Sequence, residues 1–203
     1  MKIHRKTYFN KSGITLTELI VSVIIMGVIM LGVVALDYAM RQSHRTSSGD
    51  AALSMRMAAT MSHISNSAVL ATGNRLDIGI DTSSSQTVFI RKGIGDPTTY
   101  GDDQWVVYNF DPTSQRLTFC PQANVTVGPP HTFPDPYCLD TSQEYLIILA
   151  NDVIFNFVGD ENTFNLYLEI TITSRYDVTA AADPIKNRTM TSTTRIIPLQ
   201  HTY

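Results

Sequence analysis

The sequence predicts an α+β fold in which one long N-terminal helix, membrane-spanning in its first half, packs on an antiparallel β-sheet head. Three observations carry this. Residues 19–36 contain no charge, and the first proline of the chain is Pro97. Apolar residues then recur at helical spacing as far as Ala68, and beyond residue 74 the period of the pattern changes to two. The chain has 203 residues, of which 16% are charged. That is below the quarter or so usual for globular chains, and the deficit is concentrated near the N-terminus.

Residues 1–13 carry Lys2, Arg5, Lys6 and Lys11 and no acid. The uncharged run that follows is interrupted only by Ser22, Gly27 and Gly32. Extended back to Ile14 it is long enough, at roughly 34 Å of helix, to cross a hydrocarbon layer of about 30 Å. Lipid offers the backbone no hydrogen-bond partners, so such a segment is helical. The basic leader predicts a cytoplasmic N-terminus, with everything after Leu36 on the far side. A cleaved secretory signal fits less well, because its apolar core would be 7–15 residues and would end in small residues, whereas this run leads into Asp37-Tyr38-Ala39-Met40-Arg41. A plain signal anchor explains length and orientation but leaves Glu18 unexplained. A carboxylate within a spanning segment costs about 2.5–3.5 kcal/mol at its centre. The cost is less near the edge, where the helix dipole favours a negative charge in the first turn, so a tolerated edge charge is the bland alternative.

The stretch Lys11-Ser12-Gly13-Ile14-Thr15-Leu16-Thr17-Glu18-Leu19-Ile20 resembles the processing signal of type IV prepilins and type II secretion pseudopilins. The resemblance implies cleavage after Gly13 by a prepilin peptidase, N-methylation of the new terminus at Ile14 by the same enzyme, and a subunit-assembly role for Glu18 as the fifth mature residue. The sequence departs from the family pattern at Ile14, where phenylalanine is usual, and at Thr17, where an apolar residue is commoner. Cleavage would remove four positive charges, taking the formal charge from −3 to −7. It would also create an α-amine able to pair with Glu18 of a neighbouring subunit. An isolated charge is costly in a low-dielectric core and a paired one is tolerated.

After Leu36 the chain becomes polar but keeps its helical rhythm. Leu53, Met57, Met61, Ile64 and Ala68 form one stripe, which Met55 and Ala51-Ala52 would broaden. A single helix could run from about residue 14 to about residue 70, stopping at Ala71-Thr72-Gly73-Asn74. Thr46-Ser47-Ser48-Gly49-Asp50, four poor helix formers and a glycine, is where a bend or local melting is expected. A methionine-rich stripe can serve as an adaptable binding face, but here it is expected to be the face that meets the sheet. Strands are expected at residues 75–80, 87–91, 104–110, 116–120, 144–150, 153–158, 165–175 and 191–198. Asp111-Pro112-Thr113-Ser114 should turn a hairpin between the third and fourth.

Cys120 and Cys138 bracket seventeen residues that hold five of the nine prolines. Outside the cytoplasm, where disulfides persist, these two are expected to form a structural bridge worth about 3 kcal/mol. A redox or metal pair would need further ligands. Pilins often bound a loop near the C-terminus with a disulfide, although Cys138 lies well before this one. Asp96, Asp102 and Asp103 share a glycine-rich loop that could hold calcium, but a solvated turn is the plainer reading. Asn124-Val125-Thr126 and Asn187-Arg188-Thr189 match a glycosylation pattern that a prepilin signal gives no reason to invoke. No G-x-S-x-G, H-E-x-x-H, C-x-x-C or P-loop occurs, and Gly93-Ile94-Gly95 lacks the third glycine of a dinucleotide fingerprint. No catalytic residue, cofactor or metal is therefore expected. A net charge of −3 gives no reason to expect nucleic acid.

The expected organisation is a basic leader (1–13), a transmembrane helix (14–36), an amphipathic continuation (37–72) and a β-rich head (73–203). The resemblance implies a minor pilin or pseudopilin in the cytoplasmic membrane. Its partners would be the prepilin peptidase/N-methyltransferase, other pilin or pseudopilin subunits and the membrane itself. Two alternatives remain: an anchored binding module for adhesion or for DNA or substrate recognition, and, less favoured, a tethered enzyme.

Overall fold

The computed structural model describes residues 15–73, 79–93, 103–126, 132–158, 167–183, 187–198 and 200–201. The chain divides into two units, Met1–Arg45 and Thr46–Tyr203. Helix α1, Leu16–Val69, is followed by β1 (Thr72–Gly73), β2 (Ile80–Ser84), β3 (Thr87–Gly93), β4 (Gln104–Asp111) and β5 (Arg116–Cys120). A 3-10 turn, Thr141–Gln143, then leads to β6 (Tyr145–Leu149), β7 (Asp152–Val158), β8 (Tyr167–Ser174), β9 (Met190–Ile196) and β10 (Gln200–His201). The architecture is the expected α+β one, a long N-terminal helix whose residues from Leu53 to Ala68 pack against antiparallel sheets. Residues 75–78, 165 and 166, assigned to strands from the sequence, lie outside the described residues.

The strands form more than one sheet. One has five strands in the order β2-β3-β4-β5-β6, a second has three in the order β7-β8-β9, and β1 pairs with β10 in parallel. The chain changes sheets in two residues. Ala150 N–H bonds Gln115 O on the first sheet, and Asn151 N–H bonds Thr173 O on the second. Ser174 Oγ donates to Leu149 O across the same corner. The β4–β5 hairpin turns where predicted. Asp111 accepts Thr113 N–H and Ser114 Oγ–H, and Gln115 takes the left-handed conformation that closes it (φ 56°).

Leu53, Met57, Met61, Ile64 and Ala68 are all buried and join Val88, Ile90, Val106, Tyr108, Leu117 and the inward residues of β8 in one core. On β8, Leu168, Ile170 and Ile172 are fully buried while Tyr167, Glu169, Thr171 and Thr173 are partly exposed, so the alternation read from the sequence is that of a one-faced strand. Strands β3 and β4 differ, being buried on both faces. Their second face carries Phe89, Trp105 and Val107, covered by the segment around Cys120 and Cys138. Phe133 stacks on Phe89 with ring centroids 3.7 Å apart, and Tyr137 meets the same ring edge-on.

Two expectations for the helix need correction. No melting occurs at residues 46–50, which are helical throughout. Their unfavourable propensities sum to roughly 3 kcal/mol, and tertiary contact outweighs them. Burying Leu53 and Met57 is worth about 1.5–3 kcal/mol each, the ring of Tyr176 lies over Gly49, and Asp50 faces Arg188 at 3.8 Å. Met55 does not widen the buried stripe. It is 73% exposed, because two residues of helix turn it about 200° away from Leu53. Ala51 is exposed as well, and Ala52 is half-buried.

Polar groups also join the helix to the sheet. The Tyr108 hydroxyl lies 2.8 Å from Ser67 Oγ and 3.0 Å from His63 Nδ1. Burial pushes the Tyr108 pKa up to about 12, against the opposing effect of the Ser67 hydrogen bond. Partial burial, and then the nearby Lys92, hold His63 below its usual value. The folded chain therefore takes up its His63 proton at lower pH than the unfolded chain does. Stability is full above the ordinary histidine range and falls as pH drops through it. Asp111, Asp140 and Asp177, held low chiefly by hydroxyl donors from Ser114, Ser142 and Thr179, titrate below that window. Thermal melts of the chain in detergent should thus show Tm falling between pH 7 and pH 5, with a shallower fall in His63→Gln; parallel slopes would exclude His63 as the cause.

Asn187 organises the segment after β8. It is 7% exposed, its Oδ1 accepts Asp177 N–H, and its Nδ2 donates to the carbonyls of Asp177, Ala180 and Ala181. Truncation would strand these groups without partners, so Asn187→Ala should cost about 2–3 kcal/mol in denaturant titration. A cost below about 0.5 kcal/mol, the size of an ordinary surface change, would show that water replaces the amide.

Candidate functional site

The described chain begins at the start of α1, and the helix is built to start there. Thr15 O accepts Leu19 N–H, the first helical hydrogen bond, which places Thr15 at the N-cap. Glu18 N–H reaches Thr15 Oγ1 at 3.3 Å, and Glu18 Oε2 accepts Thr15 N–H at 2.9 Å and Thr15 Oγ1–H at 3.0 Å. This reciprocal pair is a capping box, a threonine with a glutamate three residues on, each satisfying a backbone donor that the helix leaves open. One turn further, Ser22 Oγ donates to Glu18 O. The carboxylate is thus fixed in the first turn, where the helix dipole favours a negative charge. Both of its side-chain bonds use Oε2.

Beyond the cap the helix is apolar on every side. Leu19, Ile20, Val23, Ile24, Val28, Leu31 and Val34 each expose about half or more of their surface. No added methyl at Gly27 or Gly32 would meet an atom within 4 Å. The segment is long and apolar enough to cross a membrane. A helix apolar all round is stable only where something other than water surrounds it.

Gly13 and Ile14, the expected cleavage and methylation positions, lie outside the described residues, as do Asp96 and Asp102. Glu18 belongs to the unit Met1–Arg45, and Cys120 and Cys138 to the unit Thr46–Tyr203. The two cysteines are bonded, with Cα atoms 5.7 Å apart. The bridge ties β5 to the segment that covers Phe89 and Trp105, and the adjacent Ala123 N–H bonds Trp105 O. Asp103 Oδ2 lies 3.1 Å from Arg91 Nη1 with both side chains almost wholly buried, while its Oδ1 has no hydrogen-bond partner among the described residues. The Arg91 guanidinium also donates from Nε to Thr72 O and lies over the Trp105 ring. Among the described residues, no group of three or more His, Cys, Asp and Glu could hold a metal ion. Asn187, one of the two glycosylation-pattern asparagines, is buried, and Asn124 donates to Pro136 O.

Sequence reasoning assigned Glu18 a position but missed its partner. The signal was present, since Thr15-x-x-Glu18 is the capping-box spacing. The buried Arg91–Asp103 pair and the Ser67–Tyr108–His63 contact leave no such local pattern, because each joins residues 12 to 45 positions apart.

Residues 8–34 match the family model of the prokaryotic N-terminal methylation motif. No curated protein and no solved structure matches the chain. The matched segment contains the basic Lys11, Gly13, Ile14, the capped Glu18 and most of the apolar helix. The chain carries a type IV prepilin-like signal at its N-terminus, and its α+β build of apolar helix on antiparallel sheets is consistent with the pilin-like family.

Proposed function

We propose that this chain is a minor pilin or minor pseudopilin, a structural subunit and not an enzyme, that is processed by a prepilin peptidase and assembled with other subunits into a filament. The observation that carries this is the capped carboxylate of Glu18 at the head of a helix that is apolar on all sides, within the methylation motif. In this reading the peptidase removes the leader, residues 1–13, by cutting after Gly13 and methylates Ile14. Residues 14–36 hold the precursor in the cytoplasmic membrane, residues 37–72 continue the helix, and the β-rich head, residues 73–203, lies outside the cytoplasm. Extraction into a filament exchanges lipid for neighbouring helices around the same apolar surface. The large head supports a minor subunit over a compact major one.

Intact-mass measurement of the chain from membranes tests the processing. Loss of residues 1–13 and gain of one methyl on Ile14, both dependent on the peptidase, is the expected result. A full-length chain in cells with active peptidase would leave a signal-anchored β-rich protein and exclude the filament reading.

The geometry at Glu18 separates two roles for its side chain. Capping needs only an acceptor oxygen, which glutamine also supplies. Pairing with the Ile14 α-amine of a neighbouring subunit needs the negative charge. Glu18→Gln should therefore keep membrane insertion and processing yet lose co-assembly with partner subunits as severely as Glu18→Ala. Normal co-purification of the Gln variant with its partners would reduce Glu18 to a helix cap.

A further inference from the structure

The head has an open sheet edge beside an apolar groove. Among the described residues, strand β6 ends the five-stranded sheet, with β5 as its one neighbour. Its sequence, Tyr145-Leu146-Ile147-Ile148-Leu149, has no charge and no proline. Tyr145, Leu146 and Leu149 each expose about half of their surface. Chains that keep such edges free of partners blunt them with charges, prolines or bulges that twist them away. Here the described protection amounts to the bulge against β5 and the Ser174 hydroxyl on Leu149 O.

A groove of about 570 Å³ runs along this edge, between β6, the helical residues Leu53 and Arg56, and the segment 175–179. Its charged groups are unequally engaged. Arg175 donates to Asn151 Oδ1 and Ala180 O. Asp177 accepts the Thr179 hydroxyl and the backbone N–H groups of Thr179 and Ala180. The Arg56 guanidinium, also at the groove, makes no ion pair among the described residues. One unengaged cation beside an uncharged strand edge suits an extended segment with apolar side chains and one carboxylate.

We propose that β6 and this groove accept such a segment from a different subunit of the filament, which adds as a sixth strand and places its carboxylate on Arg56. The proposal rests on the filament reading above. In a helical assembly successive subunits meet head to tail, so the two surfaces in contact differ, and β6 does not meet the β6 of a neighbouring copy. Among the described residues, the other strands that end a sheet are β2 and β7, which lie against each other where Phe155 N–H bonds Ser85 O, the two-residue β1 and β10, and β9, which reads Met-Thr-Ser-Thr-Thr-Arg-Ile. Strand β9 is rich in hydroxyls, bears a cation and has no carboxylate, so a second copy is a poor match. Main-chain hydrogen bonds would provide affinity, and the groove and Arg56 specificity.

The test is photo-crosslinking of the full-length chain in cells that make its partner subunits, with a benzophenone residue at position 145 or, as a control for helix packing, at position 28. The expected result is an adduct from position 145 to a co-assembled subunit, mapped to an extended apolar segment that contains an acidic residue. That adduct should fall about tenfold in Arg56→Glu or Leu146→Ser, a loss on the scale of removing one charged or apolar anchor. Changing the mapped acid to lysine should restore it in the Arg56→Glu background. The position-28 adduct should persist throughout. An adduct at position 28 with none at 145, an adduct from 145 to a second copy or to lipid, or indifference to Arg56→Glu would overturn the proposal and leave the filament reading intact. An unprocessed chain with no subunit adduct from either position would overturn both. Arg56 is exposed, so its variant remains informative even where Leu146→Ser fails to fold.

Discussion

Apolar helix surface has to be covered, and the two parts of α1 meet that requirement differently. From Leu53 to Ala68 the cover comes from the same chain, since the stripe packs on the inner faces of β3, β4, β5 and β8. From Leu16 to Leu36 the described chain supplies none. At about 25 cal/mol per Å², the fifteen exposed large apolar residues of this stretch represent tens of kcal/mol that only lipid or other helices can recover. Everything specific to the N-terminal segment follows from that deficit. It needs lipid or other apolar cover, its one carboxylate must sit at an end, and its small residues, Gly27 and Gly32, allow close approach by whatever covers the helix.

The same need for cover explains the head. A sheet buried on one face reads as alternation, and β8 does. A sheet buried on both faces loses alternation, as in Trp105-Val106-Val107-Tyr108, and needs a second layer. The disulfide-bounded segment provides that layer, with Phe133, Tyr137 and Val125 over Phe89, Trp105 and Val107. A proline-rich segment builds no regular layer of its own, so a covalent tie at Cys120 and Cys138 and backbone bonds such as Asn124 N–H to Tyr137 O hold it in place.

What could be read from the sequence divides along one physical line. Periodic features were legible: the apolar run, the stripe from Leu53 to Ala68, the alternation on β8 and the turn at Asp111. Each is set by residues close together in the chain. Features decided by distant contacts were not. Propensity marked residues 46–50 as weak, and Tyr176 and Arg188, more than a hundred positions away, could not be known to lie beside them. The passage from the five-stranded to the three-stranded sheet depends on a two-residue corner at Ala150 and Asn151 whose significance lies in its partners, Gln115 and Thr173. At the candidate site the position of Glu18 was legible, and so in principle was its cap.

The cap also bears on how one carboxylate can serve both a helix and a filament. Both described side-chain bonds of Glu18 end on Oε2, and Oε1 accepts none of them. In the proposed mature chain Thr15 becomes the second residue and keeps its peptide N–H, because the bond between Ile14 and Thr15 is not the one cut. The capping box therefore survives processing, while the new amine at Ile14 appears one residue before it. Capping holds the carboxylate in one orientation, with an oxygen still able to accept from a second donor. A charge-assisted bond from a neighbour's amine to that oxygen would then form without the side-chain entropy otherwise lost on ordering a glutamate. An uncapped glutamate would meet the same amine from several rotamers. Local helix chemistry at Thr15 thus prepares the group that, in the filament reading, sets the register between subunits.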